Sequence, residues 1–281
     1  MLDKNEVLTS KLTIPQFKIL GNFIHTNYGI QMPDSKKILL EGRLQKRIKT
    51  NNLSNFTEYI EFLFSDDGKS RELPFFIDAV STNKTDFYRE PHHFDFLRQT
   101  FLPVFAQNNK HLKIWSAAAS SGEEPYTIAI EMQEFMEKNR GFNYEMLGTD
   151  ISTDILKKAL KGVYDEKRID IIPLNLKRKY FLKSKNRERK TVKVAPILQK
   201  NIKYKSLNLT VPLVNIPNDF DLIFCRNVLI YFNRQMQEKV INSLCTKLKP
   251  GGYLFLGHSE SITGIVAPVT QVAPTIYQHT P

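Results

Sequence analysis

The stretch Ile114-Trp115-Ser116-Ala117-Ala118-Ala119-Ser120-Ser121-Gly122-Glu123-Glu124-Pro125 decides the fold class of this chain. A short apolar run is followed by small residues, one glycine, two carboxylates and a proline, and a helical pattern then begins. This order is typical of a buried parallel strand that turns tightly into a helix. Junctions of this kind hold nucleotide-like ligands in α/β proteins, so the stretch predicts a cofactor turn.

Later apolar runs predict the remaining strands of the same sheet. They are Tyr144–Asp150, Ile202–Tyr204 with Leu207–Leu209, Phe220–Cys225, Tyr253–His258 and a final edge strand at Ala273–Tyr277. Helical patterns separate most of these runs, and the links between them are short. Alternating strand and helix units predict an α/β fold with a doubly wound parallel sheet.

The first 75 or so residues predict a small all-α domain that precedes the sheet. Thr13-Ile14-Pro15 is typical of a helix start, and a second helix is predicted from Ser35 to about Thr50. Basic residues recur on this second helix, at Lys36, Arg43, Lys46 and Arg47. They form either a solvated face or a docking surface for an acidic partner. We therefore predict a helical domain at 1–75 and a second domain at 76–281.

The net charge of +11 comes from one segment of the chain. Between Lys177 and Lys205 there are 12 Lys and Arg residues and one acid, whereas the rest of the chain is balanced. Tyr180–Leu182 and Thr191–Val194 predict a β-hairpin with a basic tip, so a small β-subdomain is expected at about 177–205. One basic arm on a neutral body favours an acidic partner, whereas a uniformly basic surface would favour nucleic acid.

Composition and missing motifs disfavour several classes of protein. No run of about 18 apolar residues is present, so a transmembrane segment is not predicted. The two cysteines, Cys225 and Cys245, have neither metal-binding nor redox spacing, which is typical of a reducing cytoplasm, and no metal site is predicted. Neither G-x-G-x-x-G nor G-x-x-x-x-G-K-[ST] occurs, which disfavours a dinucleotide or nucleoside triphosphate site.

The strand ends instead favour a cofactor that has adenine and ribose but no phosphate. Asp150 ends the second strand 28 residues after Gly122, where a carboxylate can accept hydrogen bonds from both ribose hydroxyls. Asp150 is also compatible with a simple helix N-terminal acid. S-adenosylmethionine is a phosphate-free molecule of this kind, and Lys249-Pro250-Gly251-Gly252 before the fifth strand is typical of methyltransferase sheets.

Four motifs resemble one family closely. They are T-N-x-T-x-F-Y-R-E-x-H-H-F from Thr82, W-S-A-A-A-S-S-G-E-E-P-Y from Trp115, F-C-R-N-V-L-I-Y-F from Phe224 and G-H-S-E-S from Gly257. Together they are similar to the chemotaxis receptor methyltransferases, the CheR family, over about Ser81–Tyr277, with a weaker fit of the N-terminal helices. The resemblance implies a Rossmann-like S-adenosylmethionine methyltransferase sheet with a small antiparallel β-subdomain, preceded by a small all-α domain.

The resemblance also implies an activity and its partners. A methyl group would pass from S-adenosylmethionine to glutamate side chains in the cytoplasmic helical region of membrane chemoreceptors, leaving S-adenosylhomocysteine. Cofactor contacts are implied at Asn83, Thr85, Arg89, Ala117, Gly122, Glu123, Asp150, Asn208, Leu209, Arg226 and Asn227. Arg89 and Tyr231 would lie near the reacting methyl as catalytic residues, whereas Glu124 would serve only the helix start.

Basic residues would dock the receptor. They are Lys36, Arg43, Lys46 and Arg47 on the second helix, with Arg187 and Arg189 on the β-subdomain, where a receptor C-terminal tail is a further candidate partner. The protein would work in the cytoplasm and be recruited to membrane receptor arrays. No nucleic acid partner is expected.

Two other functions stay open on the residues alone. A pI of 9.4 suggests an RNA methyltransferase, although the run after the fourth strand is Arg226-Asn227-Val228-Leu229 rather than an N-P-P-Y-like motif. Cys225 as an attacking nucleophile is disfavoured because it lies in an apolar strand. A non-catalytic protein that binds the cofactor for signalling or as a scaffold is the second alternative.

Overall fold

The computed structural model describes residues 10–186 and 188–280. Its helices are α1 (Ile14–Tyr28), α2 (Lys37–Thr50), α3 (Phe56–Phe64), α4 (Asp66–Arg71), α5 (Leu73–Val80), α6 (His92–Phe96), α7 (Leu102–Asn108), α8 (Glu123–Lys138), α9 (Thr153–Lys161), α10 (Leu174–Tyr180), α11 (Pro196–Gln199) and α12 (Arg234–Cys245). Short 3₁₀ helices span Asp34–Lys36, Glu166–Ile169 and Leu229–Tyr231, and a π-helical turn spans Leu97–Phe101.

The strands are β1 (His111–Ser116), β2 (Asn143–Asp150), β3 (Val163–Asp165), β4 (Phe181–Lys183), β5 (Thr191–Val194), β6 (Ile202–Ser206), β7 (Phe220–Cys225), β8 (Leu248–Leu256), β9 (Val269–Ala273) and β10 (Ile276–His279). Within the described residues they form a seven-stranded sheet of order β6-β2-β1-β7-β8-β10-β9 and a three-stranded sheet of order β3-β5-β4.

The large sheet confirms the predicted doubly wound fold. Strands β6, β2, β1, β7 and β8 are parallel, with Ile114 paired to Met146 of β2 on one side and to Leu222 of β7 on the other. The chain moves outward from β1 through β2 to β6, and then returns to continue from β7 on the opposite side. A cleft opens at such a reversal, at the carboxyl ends of the strands, and it is the usual ligand site of this architecture.

The antiparallel end of the sheet differs from the sequence prediction. One edge strand was expected at Ala273–Tyr277, but β9 and β10 form a hairpin around Pro274 and Thr275, and β10 lies between β8 and β9. Pro274 has no N–H to donate and Thr275 has a φ of 57°, so the chain turns within the run that looked continuous.

The helical N-terminal part forms one core with one face of the large sheet. Thr13 caps α1 in a capping box with Gln16, and Gly29 ends the helix with a left-handed φ of 68°. Buried residues of α1, α2, α3 and α5 pack in the same cluster as Trp115 and Ile223, whereas Ile114 and Leu222 pack in a second cluster on the other face. Successive strand residues point to opposite faces, so β1, β7 and β8 contribute to both cores.

The small antiparallel sheet confirms that a β-subdomain is present. Its strands β3, β4 and β5 come from 163–194, a range that begins earlier than the 177–205 expected from sequence, and β6 belongs to the large sheet. The outer face is exposed at Leu182 and Lys193, whereas Tyr164 and Val192 face the protein. Among the described residues, no helix has the length and apolar character needed to cross a membrane.

Candidate active site

An open cavity lies at the carboxyl ends of the parallel strands, where the sheet order reverses. The residues that follow four neighbouring strands line it: Ala117 and Ala118 after β1, Asp150 and Ile151 at the end of β2, Leu207–Leu209 after β6, and Arg226–Val228 after β7. The loop 81–86 and Arg89 complete this side of the wall.

Most of the predicted site residues meet in this one cavity. Asn83, Thr85, Arg89, Ala117, Asp150, Asn208, Leu209, Arg226, Asn227 and Tyr231 all line it. They are spread over nearly 150 positions of the chain, and the sheet brings them together because the carboxyl ends of its parallel strands share one edge. The role of each residue stays a prediction, since proximity alone does not identify a contact.

Asp150 is held rigidly at the cavity wall. One carboxylate oxygen accepts a hydrogen bond from the Ser120 amide at 2.9 Å, and the other accepts one from the Ser152 amide at 3.0 Å. Burial raises the pKa of this carboxyl, and the same backbone amides oppose that rise. Each carboxylate oxygen can accept more than one hydrogen bond, so Asp150 keeps acceptor capacity for hydroxyl groups in the cavity.

Arg226 is the centre of a buried ionic network. Its Nη1 donates to Glu124 at 3.0 Å, and its Nη2 donates to Glu90 at 3.1 Å and to the Arg89 carbonyl. Ser116 donates to the other oxygen of Glu124 at 2.7 Å. The Arg226 Nε is buried without a hydrogen-bond partner in the described structure, so the donor capacity of this guanidinium is not fully used.

Glu90 keeps its negative charge although it is largely buried. Burial would raise its pKa, but a hydrogen bond from the His258 backbone, the Arg226 charge and the Asn227 amide lower the pKa to about 2. Behind Glu90, burial and then the charges of Arg226 and His92 lower the pKa of His93 to about 3. The His93 ring is therefore neutral at physiological pH, and its Nε2 lies 2.8 Å from the Thr275 hydroxyl.

Glu260 fixes the turn that follows β7. Its carboxylate accepts hydrogen bonds from the backbone amides of Asn227 at 2.8 Å, Leu229 at 2.7 Å and Gly257 at 2.5 Å. Asn227 itself has a φ of 60°, which is uncommon for a residue with a side chain. The buried Glu260 carboxylate stabilises this turn by accepting hydrogen bonds from three amides. The turn places Arg226 and Asn227 at the cavity wall.

Gly122 and Glu123 are not among the residues that line the cavity, so the structure does not group them with the other predicted contacts, and their cofactor contacts stay predictions. Gly122 has a φ of 98°, and a side chain there would approach the Tyr164 hydroxyl to 2.9 Å and Ala159 to 3.0 Å. The glycine therefore allows the α8 start to pack against the small sheet. Glu123 is buried and pairs with Arg168, whereas Glu124, expected only to start the helix, lines the cavity.

The helical N-terminal part supplies a further wall of the cavity. Tyr28, Ile30 and Lys36 line it, and the Lys36 Nζ lies 5.1 Å from the centre of the Tyr231 ring. Backbone contacts fix the arrangement, because the Gln31 amide donates to the Tyr231 carbonyl at 2.8 Å. Burial and the nearby Arg43 charge lower the pKa of Lys36.

The predicted docking residues fall into different environments. Arg43 donates to the carbonyls of Ala79 and Ser81 at 2.8 and 2.9 Å, and Arg47 forms a two-pronged ion pair with buried Glu72. These two side chains hold the helices together, whereas the sequence had left a solvated face or a docking surface open for them. Lys46 is exposed. Arg189 is exposed on the small-sheet hairpin, and Arg187 lies outside the described residues.

Sequence reasoning missed several residues that build the site. They are Tyr28, Ile30, Lys84, Asp86, Glu124 and Val228 in the cavity wall, and Glu90, Arg168 and Glu260 behind it. Glu90, Glu124 and Glu260 lie within the quoted motifs. Their positions close to Arg89, Gly122 and Gly257 were a signal that could have identified them. Arg168, Tyr28 and Ile30 gave no such signal, because their role depends on packing between distant segments.

The cavity fits a phosphate-free adenosyl cofactor. Its wall carries a fixed carboxylate for hydroxyl groups at Asp150, a buried donor at Arg226 and a further carboxylate at Glu124. Apolar surface from Ile30, Leu209 and Phe232 suits an aromatic base. Among the described residues, no group of three or more His, Cys, Asp or Glu side chains is placed to hold a metal ion.

Comparison with known proteins agrees with this geometry. Residues 83–277 match the family described as "CheR methyltransferase, SAM binding domain", and residues 15–81 match "CheR methyltransferase, all-alpha domain". The chain belongs to the CheR methyltransferase family. It is therefore a methyltransferase of the chemotaxis type, and its cofactor is S-adenosylmethionine.

Relatives in the CheR family are similar along nearly the whole chain. A chemotaxis protein methyltransferase of Borreliella burgdorferi is 41% identical over 263 residues, which cover 92% of each chain. One from Salmonella typhimurium is 33% identical, covering 96% of this chain and 92% of its own. A SAM-dependent methyltransferase structure from Methanosarcina mazei has a TM-score of only 0.33 at 16% identity, covering 61% of this chain and 57% of its own.

Proposed function

We propose that this protein methylates glutamate side chains in the helical cytoplasmic region of membrane chemoreceptors, forming γ-carboxyl methyl esters. The observation that carries the proposal is the meeting of Lys36, Arg89 and Tyr231 in the wall of the cofactor cavity. Two cations and a phenol beside a methyl donor suit a carboxylate acceptor. The similarity to chemotaxis protein methyltransferases supports the same substrate class.

The chemistry asks little of acid–base groups. S-adenosylmethionine supplies a methyl group on a positively charged sulfur, which is already electrophilic. A glutamate carboxylate has a reference pKa of about 4.3 and is ionised at neutral pH, so it attacks without a general base. The oxygen–methyl bond forms as the sulfur–methyl bond breaks, and S-adenosylhomocysteine leaves. The protein must therefore align the carboxylate and exclude water, and alignment of this kind can contribute about 7–11 kcal/mol.

Arg89 and Tyr231 are proposed to orient the reacting groups. The Arg89 Nη1 donates to the Lys84 carbonyl at 2.9 Å, which fixes the guanidinium beside the cavity. Tyr231 sits at the end of a 3₁₀ turn that Glu260 anchors through the Leu229 amide. Both side chains are partly exposed, so a substrate can reach them.

The receptor is proposed to dock on basic surface close to the cavity. Lys36 and Lys46 remain available on the helical side, and exposed contacts of this type contribute up to about 1 kcal/mol each while steering encounter. The small sheet adds Lys193, Leu182 and Arg189 on its exposed side, which suits an acidic receptor tail. In this proposal the protein works in the cytoplasm and is recruited to receptor arrays.

One assay tests the proposal. The protein is incubated with methyl-labelled S-adenosylmethionine and receptor-bearing membranes, and the products are then treated with base. Release of volatile labelled methanol is expected, because carboxyl methyl esters hydrolyse in base. Receptor with its methylation glutamates replaced by alanine is the matched control and should stay unlabelled. Base-stable label on RNA, or no label on the intact receptor, would contradict the proposal.

A further inference from the structure

The loop 81–86 forms part of the cofactor cavity without helix or strand structure of its own. Asn83, Lys84, Thr85 and Asp86 line the cavity, and Thr85 is buried. Irregular backbone needs partners from other segments to keep one conformation. The Ser120 hydroxyl supplies one of them, since it donates to the Asn83 carbonyl at 3.1 Å.

Arg168 supplies the strongest of the other contacts. Its guanidinium donates to the Thr85 carbonyl, to the Asp86 carboxylate at 2.9 Å and to the Glu123 carboxylate. Arg168 lies in the 3₁₀ turn directly after β3, outside the motifs and outside the cavity wall. One side chain thus joins the loop 81–86, the first residue of α8 and the small antiparallel sheet.

Other contacts between the same three segments accompany Arg168. The Tyr164 hydroxyl of β3 donates to the Ser121 carbonyl at 2.6 Å, within the turn that precedes α8. The Phe87 ring, directly after the loop, packs edge-on against Tyr164 at 5.1 Å and against Phe181 of β4 at 5.5 Å between ring centres. The inner face of the small sheet is therefore the support on which the loop rests.

We infer that Arg168 is a positioning residue for cofactor binding, which holds the loop 81–86 against the start of α8. It acts through Thr85, Asp86 and Glu123 and does not touch the cofactor. The geometry requires an arginine, because a planar guanidinium can serve a carbonyl and two carboxylates at once, whereas one ammonium cannot span them. Without it, the buried Glu123 carboxylate loses its ion-pair partner and the loop loses two of its anchors.

This inference rests on the cofactor binding in the cavity, and S-adenosylhomocysteine is the probe because it binds without turnover. Calorimetry on the full chain compares the wild type with Arg168→Ala, Arg168→Lys and Lys167→Ala. Lys167 is the neighbouring exposed cation on the same turn and serves as the matched control. Hydrogen exchange of the loop amides in the ligand-free protein is the second measurement.

We expect Arg168→Ala to raise the dissociation constant about tenfold, as the loss of roughly 1.4 kcal/mol would. The dissociation constant of Arg168→Lys should lie between those of Arg168→Ala and the wild type. That of Lys167→Ala should stay within about twofold of the wild-type value, because substitutions of exposed residues usually have small effects. Exchange should quicken in residues 81–88 of Arg168→Ala and not in the strands of the large sheet.

Several results would overturn the inference. The inference fails if folded Arg168→Ala binds S-adenosylhomocysteine with wild-type affinity and if hydrogen exchange of the loop 81–86 is unchanged. If Arg168→Ala does not fold, the Arg168→Lys variant tests the inference instead. Wild-type affinity of Arg168→Lys for S-adenosylhomocysteine would then contradict it. A wild type that fails to bind S-adenosylhomocysteine would instead refute the cofactor site itself, so the two failures are distinguishable.

Discussion

The Lys36 ammonium lies 5.1 Å from the centre of the Tyr231 ring, in the wall of the cofactor cavity. One residue comes from the helical N-terminal part and the other from the turn after β7, nearly 200 positions later. The contact makes the helical part a component of the cavity wall. A cation over an aromatic face contributes about 0.5–1 kcal/mol where solvent reaches it.

Lys36→Met removes this charge and keeps the length of the side chain. We expect the receptor KM to rise about fivefold, since a partly exposed ion pair with the substrate carboxylate contributes up to about 1 kcal/mol. Affinity for S-adenosylhomocysteine should stay close to that of the wild type. Lys37→Met, which removes the cation paired with Glu41 at 3.6 Å, is the control. An unchanged KM for Lys36→Met would remove Lys36 from substrate recognition.

Asp150→Asn tests the predicted ribose contact. We expect the dissociation constant of S-adenosylhomocysteine to rise at least about tenfold, because hydrogen bonds to a charged acceptor contribute roughly 1.5–3 kcal/mol. The amide group also cannot accept from both Ser120 and Ser152, so the Tm should fall. Calorimetry and thermal unfolding measure the two effects. Asp154→Asn, on the exposed start of α9, should leave affinity unchanged, and equal affinities for both variants would exclude Asp150 as a contact.

Arg226→Met leaves Glu90 and Glu124 buried without their common partner. Breaking a buried ion pair from one side typically costs about 3–5 kcal/mol, and we expect a loss of this order in the free energy of unfolding. Urea unfolding measures it. Arg71→Met, which breaks an exposed pair with Asp67, should change stability by less than about 0.5 kcal/mol. Similar losses in the free energy of unfolding for the two variants would mean that the buried ion pairs of Arg226 contribute no more to stability than an exposed pair.

Glu90→Gln should change how stability depends on pH. The folded pKa of Glu90 is about 2, below the ordinary 4.5, so the stability from its charge is fully present above 4.5 and is lost as pH falls towards 2. The wild type should therefore be more stable than Glu90→Gln at pH 7, and the difference should shrink below pH 4.5. Urea unfolding over this range measures it, with the exposed Asp66→Asn as control. A difference independent of pH would contradict the assignment.

Arg43→Ala and Lys46→Ala separate structural from docking roles on α2. Arg43→Ala removes two hydrogen bonds to carbonyls at the end of α5, and we expect about 1–2 kcal/mol of lost stability. Lys46→Ala should leave stability unchanged but raise the receptor KM at low salt, and added salt should abolish that effect. Unfolding curves and initial rates at two ionic strengths test the pair. The reverse pattern would restore Arg43 as a docking residue.

The strand ends and the cofactor class were predictable because they depend on local sequence. Buried strands are apolar runs, and the residues just after them must lie at one edge of a parallel sheet, so Asp150 could be predicted from its place at a strand end. Arg226 was assigned to the same site by the family resemblance. The division of labour between Glu123 and Glu124 was not predictable. Adjacent helix residues point about 100° apart, and only the packed position of α8 decides which carboxylate faces the cavity.

Sequence by itself determined the doubly wound fold, the CheR family and most of the loops that meet at the cavity. The periodicity of hydrophobic residues predicts the strands and helices, and the long motifs indicate the family, and both are local properties of the sequence. Only the tertiary structure decided that Lys36 borders the cavity, that Arg43 and Arg47 brace helices, and that Arg168 donates hydrogen bonds to the loop 81–86. Those roles depend on which distant carbonyl or carboxylate a long cationic side chain meets, and that choice is made by packing rather than by spacing along the chain.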